Sequence, residues 1–270
     1  MNNMQKAKYK YSNRSKNNRK PGLDIGLKGF LCSCNNREKD CVREAYNLLN
    51  KYADILYPSQ KTEASEPKKC IDGEELNIEE ELENELLELK SEKKNVKRFQ
   101  VIESGAKNFL FIKTTMEDPV HLAHSLISDL HSTKIQQTRF LIRLTPIETT
   151  CRAYLKDIEV AFLPLAEKYF KNSPRTFSIV YNHRNNNNLN RDEIITAVAN
   201  IVATVNNNNK VDLKSADVSI VIEVIKGIVL IGVVPDFIKF KKYNLLSVTE
   251  EEKVCETSIE KSADSDEKTT

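Results

Sequence analysis

Two stretches of this chain hold side chains whose types and spacing suit work on phosphates and bases. The first is Arg-Phe-Leu-Ile-Arg-Leu-Thr-Pro, starting at residue 139. Residues 138–144 read as a strand. Period-two alternation sets Arg139, Leu141 and Arg143 on one face and Phe140, Ile142 and Leu144 on the other. An apolar face then anchors the strand while the other holds two guanidinium groups, whose planar forks match phosphate oxygens. The second stretch is Tyr181-Asn182-His183-Arg184-Asn185. Flat rings beside a guanidinium group hold single-stranded RNA ends by stacking and charge. The alternative for Tyr181 is a residue that completes a sheet face. Just beyond, Asn190-Arg191-Asp192-Glu193 opens a helix in capping-box fashion. Its free first-turn amides, with Arg184 and Arg191 beside them, suit a phosphate. Asp192 and Glu193 oppose one by compensating the helix dipole. A well-capped helix beside a flexible loop is the other reading.

Other chemistry is poorly served. None of the seven glycines builds a GxGxxG turn, a P-loop or a similar phosphate cradle. A methyltransferase or acetyltransferase needs a cofactor loop of that kind, so no cofactor and no catalytic residue is expected. His121, His124 and His131 fall on one side of a helix but flank its apolar face of Leu122, Leu126, Ile127 and Leu130. Their spacing does not match a tetrahedral zinc site, and an ordinary polar helix face is expected. Cys32, Cys34 and Cys41, with Cys70, resemble a partial metal set, but small buried thiols are the favoured reading. No metal is expected.

Charge along the 270 residues is uneven behind a formal net of +2. Residues 1–20 carry seven basic side chains and no acidic one, residues 59–98 are net −4, and residues 249–270 are net −5. The remaining body is therefore mildly basic, and a basic tail on such a body favours polyanions such as RNA through release of counterions from phosphates; a solubilising, disordered end is the other reading of the tail. No apolar run in the first twenty residues reads as a signal peptide. The longest apolar region, 218–234, is interrupted by Ser219, Glu223 and Lys226, so no membrane span is expected. The expectation is an intracellular protein, with nucleus, nucleolus and cytoplasm all open, and with reduced cysteines.

The elements that must position these side chains follow from periodicity. A short strand at 27–31 precedes a helix over 38–55. A glutamate-rich helix over 74–94 reads as an insert. A hairpin spans 99–103 and 108–113, turned at Ser104-Gly105, and a helix capped by Asp118 runs to 131. The strand at 138–144 closes this α+β unit. Then come a helix or two over 152–170 with Pro164 as a break or kink, a strand at 176–181, and an asparagine loop. A helix over 191–205, a second asparagine loop and two apolar strands at 218–224 and 228–234 complete the chain. Those last strands are apolar at nearly every position, so both faces should be covered.

Several ordered segments together resemble one family: residues 29–49, Ser104-Gly105-Ala106, 138–152, 177–191 and 210–213. The chain looks like the THUMP-domain adaptors of tRNA cytidine acetylation. The resemblance implies an α+β architecture, a ferredoxin-like domain at 25–144 followed by an α/β THUMP domain at 145–248. The acidic insert occupies 59–98, with a disordered basic tail at 1–24 and a disordered acidic tail at 249–270. It implies a non-catalytic protein that grips the single-stranded 3′ end and acceptor region of tRNA. Its partner would be a separate RNA cytidine acetyltransferase making N4-acetylcytidine in the D-arm of serine and leucine tRNAs. The RNA-binding positions it points to are Arg143, Arg175, Tyr181, Arg184, Asn185, Arg191 and Lys210, with Arg139 and Lys113 as further candidates. The rival classes are a general RNA-binding or ribosome-assembly factor without a fixed enzyme partner, and an enzyme that makes the modification itself.

Overall fold

The computed structural model describes residues 22–58 and 97–250. The readings made for 1–21, 59–96 and 251–270, including the insert helix and Cys70, fall outside them.

The first half runs β1 (Gly29–Cys34), α1 (Glu38–Leu56), β2 (Phe99–Glu103), β3 (Phe109–Thr114), α2 (Pro119–Thr133) and β4 (Leu141–Ile147). Its sheet has the order β2-β3-β1-β4, antiparallel throughout. That order and the βαββαβ sequence of elements are ferredoxin-like. α1 presents Cys41, Ala45, Leu48, Leu49, Tyr52 and Ala53 to the sheet at helical spacing. α2 starts where Asp118 accepts a hydrogen bond from the His121 amide at 2.9 Å, with Pro119 supplying a preset φ at the first turn.

The second half runs β5 (Thr149–Arg152), α3 (Leu155–Phe170), β6 (Thr176–Arg184), α4 (Arg191–Val205), β7 (Lys210–Val211), β8 (Val218–Ile225), β9 (Ile228–Pro235) and α5 (Leu245–Thr249). Its sheet order is β5-β9-β8-β6-β7, with β6 parallel to both neighbours. Every residue of β8 is buried, as the unbroken apolar run requires. Alternation divides the strand: Ile220, Ile222 and Val224 pack under α3 and α4, while Val221 and Ile225 turn towards the first sheet. α3 is one helix with Pro164 inside it. The short strands β5 and β7 had no sequence signal.

The two sheets meet through Leu31, Ile102, Phe111 and Ile147 of the first and Ile225 and Leu230 of the second, all buried. Burial of such side chains contributes about 1.5–3 kcal/mol each as an upper estimate. The backbones touch where β9 crosses β4: a Cβ on Gly232 would sit 2.3 Å from the Pro146 carbonyl oxygen. Pro146 lies within β4, on the edge of its sheet, where a missing N–H costs no ladder bond. The chain after β9 returns to the first half, where Phe237, Phe240, Tyr243, Leu245 and Val248 join the core beneath α2 and β4.

β4 corrects the expected strand at 138–144, which begins instead at Leu141. The Glu44 carboxylate on α1 accepts hydrogen bonds from the backbone amides of Arg139, Phe140 and Leu141, at 3.1, 2.9 and 2.8 Å, so the first of these residues do not ladder. Pairing then shifts register, with Ser33 opposite Arg143 but Cys34 opposite Leu141. Ile142 is the extra residue of this bulge, and simple alternation fails across it. Leu141 and Leu144 are both buried while Arg143 is exposed. Arg139 therefore does not share a strand face with Arg143.

Candidate nucleic-acid interface

β6 and the loop after it organise the candidate surface. Alternation sends Phe177 and Tyr181 under the helices and Val180, Asn182 and Arg184 towards the first sheet. Tyr181 and Arg184 thus lie on opposite faces and do not form a joint platform. Tyr181 is 9 % exposed, and burial pushes its phenol pKa up. Its hydroxyl finds no partner among the described residues. The sheet-face reading of Tyr181 holds, and stacking on a base does not. His183 is exposed, its ring 5.9 Å from that of Tyr181.

Arg184 and Arg143 do come together. They line a cleft of about 130 Å³ where the two sheets meet, with Leu31, Ser33, Phe109, Thr145, Asn182, Glu223 and others around it. Arg184 is paired there with the buried carboxylate of Glu223, which also accepts a hydrogen bond from Asn182 Nδ2 at 2.8 Å. The Arg184 guanidinium lies 3.8 Å from the centre of the Phe109 ring on β3. A cation held between a carboxylate and a ring fastens the second half to the first.

A second cleft, about 370 Å³, opens where the N-termini of α3 and α4 face the asparagine loop. Tyr154, Leu155, Asn186, Asn188, Leu189, Asn190 and Glu193 line it with neighbouring residues. Tyr154 is 67 % exposed, an accessible aromatic face that the sequence reading missed because nothing around it marks a motif. The structure also separates the roles of the asparagines. Asn186 donates to the Lys226 carbonyl at 2.6 Å and accepts from the Asn188 amide at 2.9 Å. Asn190 caps α4 by accepting from the Asp192 amide at 3.0 Å. Asn185 adopts a left-handed φ of 55°, a conformation asparagine tolerates. The side chains of Asn185, Asn187 and Asn188 have no hydrogen-bond partner among the described residues, and of these Asn188 faces the cleft. A ring and a free amide in one recess suit an unpaired base.

The remaining expected positions lie elsewhere. Arg191 is exposed at the first turn of α4, beside the second cleft. Arg175 and Lys210 are neighbours, since the Lys210 amide donates to the Arg175 carbonyl at 3.1 Å, and both are exposed. They sit at the start of β6; eight residue steps at about 3.3 Å separate that end from Arg184 by roughly 26 Å. Lys113 is half-buried on β3, opposite Gly29. Arg139 sits near α1, its guanidinium 5.4 Å from the Phe140 ring.

The histidines weighed as metal ligands have other partners. His124 Nε2 meets Asp236 at 3.1 Å, His131 packs its ring on Phe240, and His121 contacts Tyr57. Cys32, Cys34 and Cys41 are buried, and desolvation raises all three thiol pKa values. No group of three or more His, Cys, Asp or Glu able to hold a metal occurs among the described residues. No described helix is long and apolar enough to cross a membrane.

The THUMP domain family matches residues 152–234. The chain is 40% identical over 234 residues to THUMP domain-containing protein 1 of Mus musculus, covering 86% of this chain and 67% of that protein. It is 39% identical over 262 residues to the THUMP domain-containing protein 1 homolog of Drosophila melanogaster, covering 90% and 78%. It is 28% identical over 251 residues to a Saccharomyces cerevisiae protein described as tRNA acetyltransferase TAN1, covering 84% and 86%. The chain spans about two thirds of the length of the mammalian relatives.

Proposed function

The chain belongs to the THUMP domain-containing protein 1 family, and from that premise we propose that it is a non-catalytic tRNA-binding adaptor. In this reading it presents serine and leucine tRNAs to a separate RNA cytidine acetyltransferase, which forms N4-acetylcytidine in the D-arm. In this reading the ferredoxin-like unit expected at 25–144 runs on to Ile147, the end of β4, and the THUMP unit follows it to about 248; residues 23–24 and 98 join the folded part, and the appended tails and insert lie beyond the described residues.

One observation carries the RNA reading. The chain from Asn182 to Asn190 lines both clefts, with Asn182 and Arg184 in one and Asn186, Asn188 and Asn190 in the other. A strand leaving the ring-and-amide recess therefore meets cationic walls within a few residues. The unpaired 3′ end would enter the recess beside Tyr154 and Asn188, and Arg143, Asn185 and Arg191 would meet the phosphates that follow. Arg175, Lys210, Lys113 and Arg139 would serve more distant parts of the acceptor region. Tyr181 takes no part, being buried. Holding the tRNA at one end while the partner enzyme works at a fixed distance raises effective concentration and sets register.

The yeast relative carries the word acetyltransferase in its description, so the division of labour needs its own test. Purified protein with acetyl-CoA and tRNA should form no N4-acetylcytidine, and adding the RNA cytidine acetyltransferase should restore it. Cells lacking the protein should lose the mark from serine and leucine tRNAs and keep it in ribosomal RNA. Unchanged tRNA acetylation would leave a general RNA-binding factor as the better reading.

A further inference from the structure

We propose that Lys242 and Arg143 together hold one backbone phosphate of the bound RNA, at the junction of the two sheets. The inference rests on the RNA-binding reading above and adds a residue that neither the sequence pattern nor the family resemblance singled out.

The turn after β9 is the starting observation. Lys241, Lys242 and Tyr243 all have left-handed backbones, with φ of 50°, 61° and 55°. That conformation is unfavourable for any L-residue with a side chain, and successive non-glycine residues rarely share it. It persists only where surrounding contacts over-determine it. Here the amides of Lys241, Lys242 and Tyr243 donate to the carbonyls of Ile238, Phe237 and Phe240 at 3.0, 2.7 and 2.9 Å. The buried Tyr243 donates its hydroxyl to the Pro235 carbonyl at 3.0 Å, and its own carbonyl accepts from the Leu144 amide at 3.2 Å. Its ring stacks on Phe237 and meets Phe240 edge-on.

This locked turn sets Lys242, an exposed residue, at the wall of the junction cleft with Arg143, Ser33 and Thr145. Charge within the cleft is unbalanced. Arg184 is neutralised by Glu223. Arg143 and Lys242 have no acidic partner among the described residues, and the hydroxyls of Ser33 and Thr145 have no hydrogen-bond partner among them. Two uncompensated cations, one a planar fork and one a point charge, beside two free hydroxyls match the oxygens of a phosphate. Bases in the neighbouring recess would place a phosphodiester here.

The test is the binding of a tRNA transcript, followed by fluorescence anisotropy across a salt series. The variants are Lys242→Asn, Arg143→Gln and the pair combined. Asparagine adopts the left-handed region more readily than lysine, so Lys242→Asn should keep or raise the Tm; Lys242→Gly serves the same purpose if it does not. Each single variant should weaken binding and flatten the dependence of log K on log salt. The double variant should lose a slope of about 0.7–0.9 in all, the value of one phosphate. An unchanged slope in folded variants overturns the subsite, and so does a loss worth two phosphates. Inorganic phosphate should compete only weakly; strong competition at low concentration would identify a free-anion site instead. If the unaltered protein binds no tRNA, the RNA reading fails first and takes the subsite with it.

Discussion

The two clefts are adjacent and share the segment from Asn182 to Asn190, yet they are built from opposite materials. The recess beside α3 and α4 offers an exposed ring and amides and carries only Glu193 as a charge. The junction cleft offers two arginines and a lysine around one buried carboxylate. The first has the chemistry of base recognition and the second that of phosphate recognition. Their origins differ as well. A loop fixed by side chain-to-backbone bonds makes the recess, whereas the packing of two sheets makes the junction. Altering a recess side chain that makes no hydrogen bond of its own, such as Asn188, should therefore change binding without changing stability, whereas an altered residue in the junction can change both.

The largest expected effect breaks the junction. Arg184→Ala leaves Glu223 buried without its cation and removes the contact with Phe109. It should cost about 3 kcal/mol in urea denaturation, near the lower end for a broken buried pair because Arg184 is partly exposed. Adding Glu223→Gln should recover much of that loss. Full stability in the single variant would mean that the pair does not fasten the sheets, and Arg184 would return to the list of direct RNA contacts.

Next comes Tyr154→Ala in the recess. It should weaken tRNA binding by about 1–3 kcal/mol, the usual worth of a base stacked on an aromatic ring. The Tm should stay put, since the ring is largely exposed. The loss should vanish on a tRNA shortened by its unpaired 3′ nucleotides; a loss that persists would move the base site elsewhere.

Two asparagines sharpen the contrast further. Asn190→Ala removes the cap of α4 and should cost about 1 kcal/mol of stability. Asn188→Ala should leave thermal unfolding unchanged and weaken binding severalfold. Equal behaviour of the two variants would erase the distinction drawn between a structural and a free amide.

The smallest effect lies at the far end of β6. The Thr176 amide and hydroxyl both donate to the Asp217 carboxylate, at 2.9 and 2.7 Å, and hold its pKa below the ordinary value. A carboxylate depressed in the folded state contributes stability that is present above its unfolded pKa, about 3.9. That contribution is lost as pH falls through the folded value. Asp217→Asn should therefore lower stability slightly at neutral pH and make its decline below about pH 4 shallower. An identical acid profile would mean that these bonds add nothing.

Much of the architecture is legible in the sequence. The helix over 191–205 and the hairpin at 99–103 rest on local rules, capping chemistry and period-two alternation, and both appear where expected. Errors gathered where a distant group intervened. Glu44, far away in sequence on α1, takes the amides of residues 139–141 and delays β4. β5 and β7 exist because long neighbours pair with them, since strands of four and two residues carry almost no pattern of their own.

For the site the division is sharper. The residue types were visible: arginines at 143 and 184, a run of asparagines, and the family to which they point. The sequence by itself determined the long helices and strands, the alternation along the unbroken strands, the absence of a glycine-rich cofactor loop and the basic character of the body. Tertiary structure decided which of these side chains meet. It buried Tyr181, bound Arg184 to Glu223, moved Arg139 away from Arg143, and brought Lys242 and Tyr154 to the cleft walls. The reason is physical: periodicity fixes the face on which a side chain stands, but only the packing of one sheet on another fixes what that face meets.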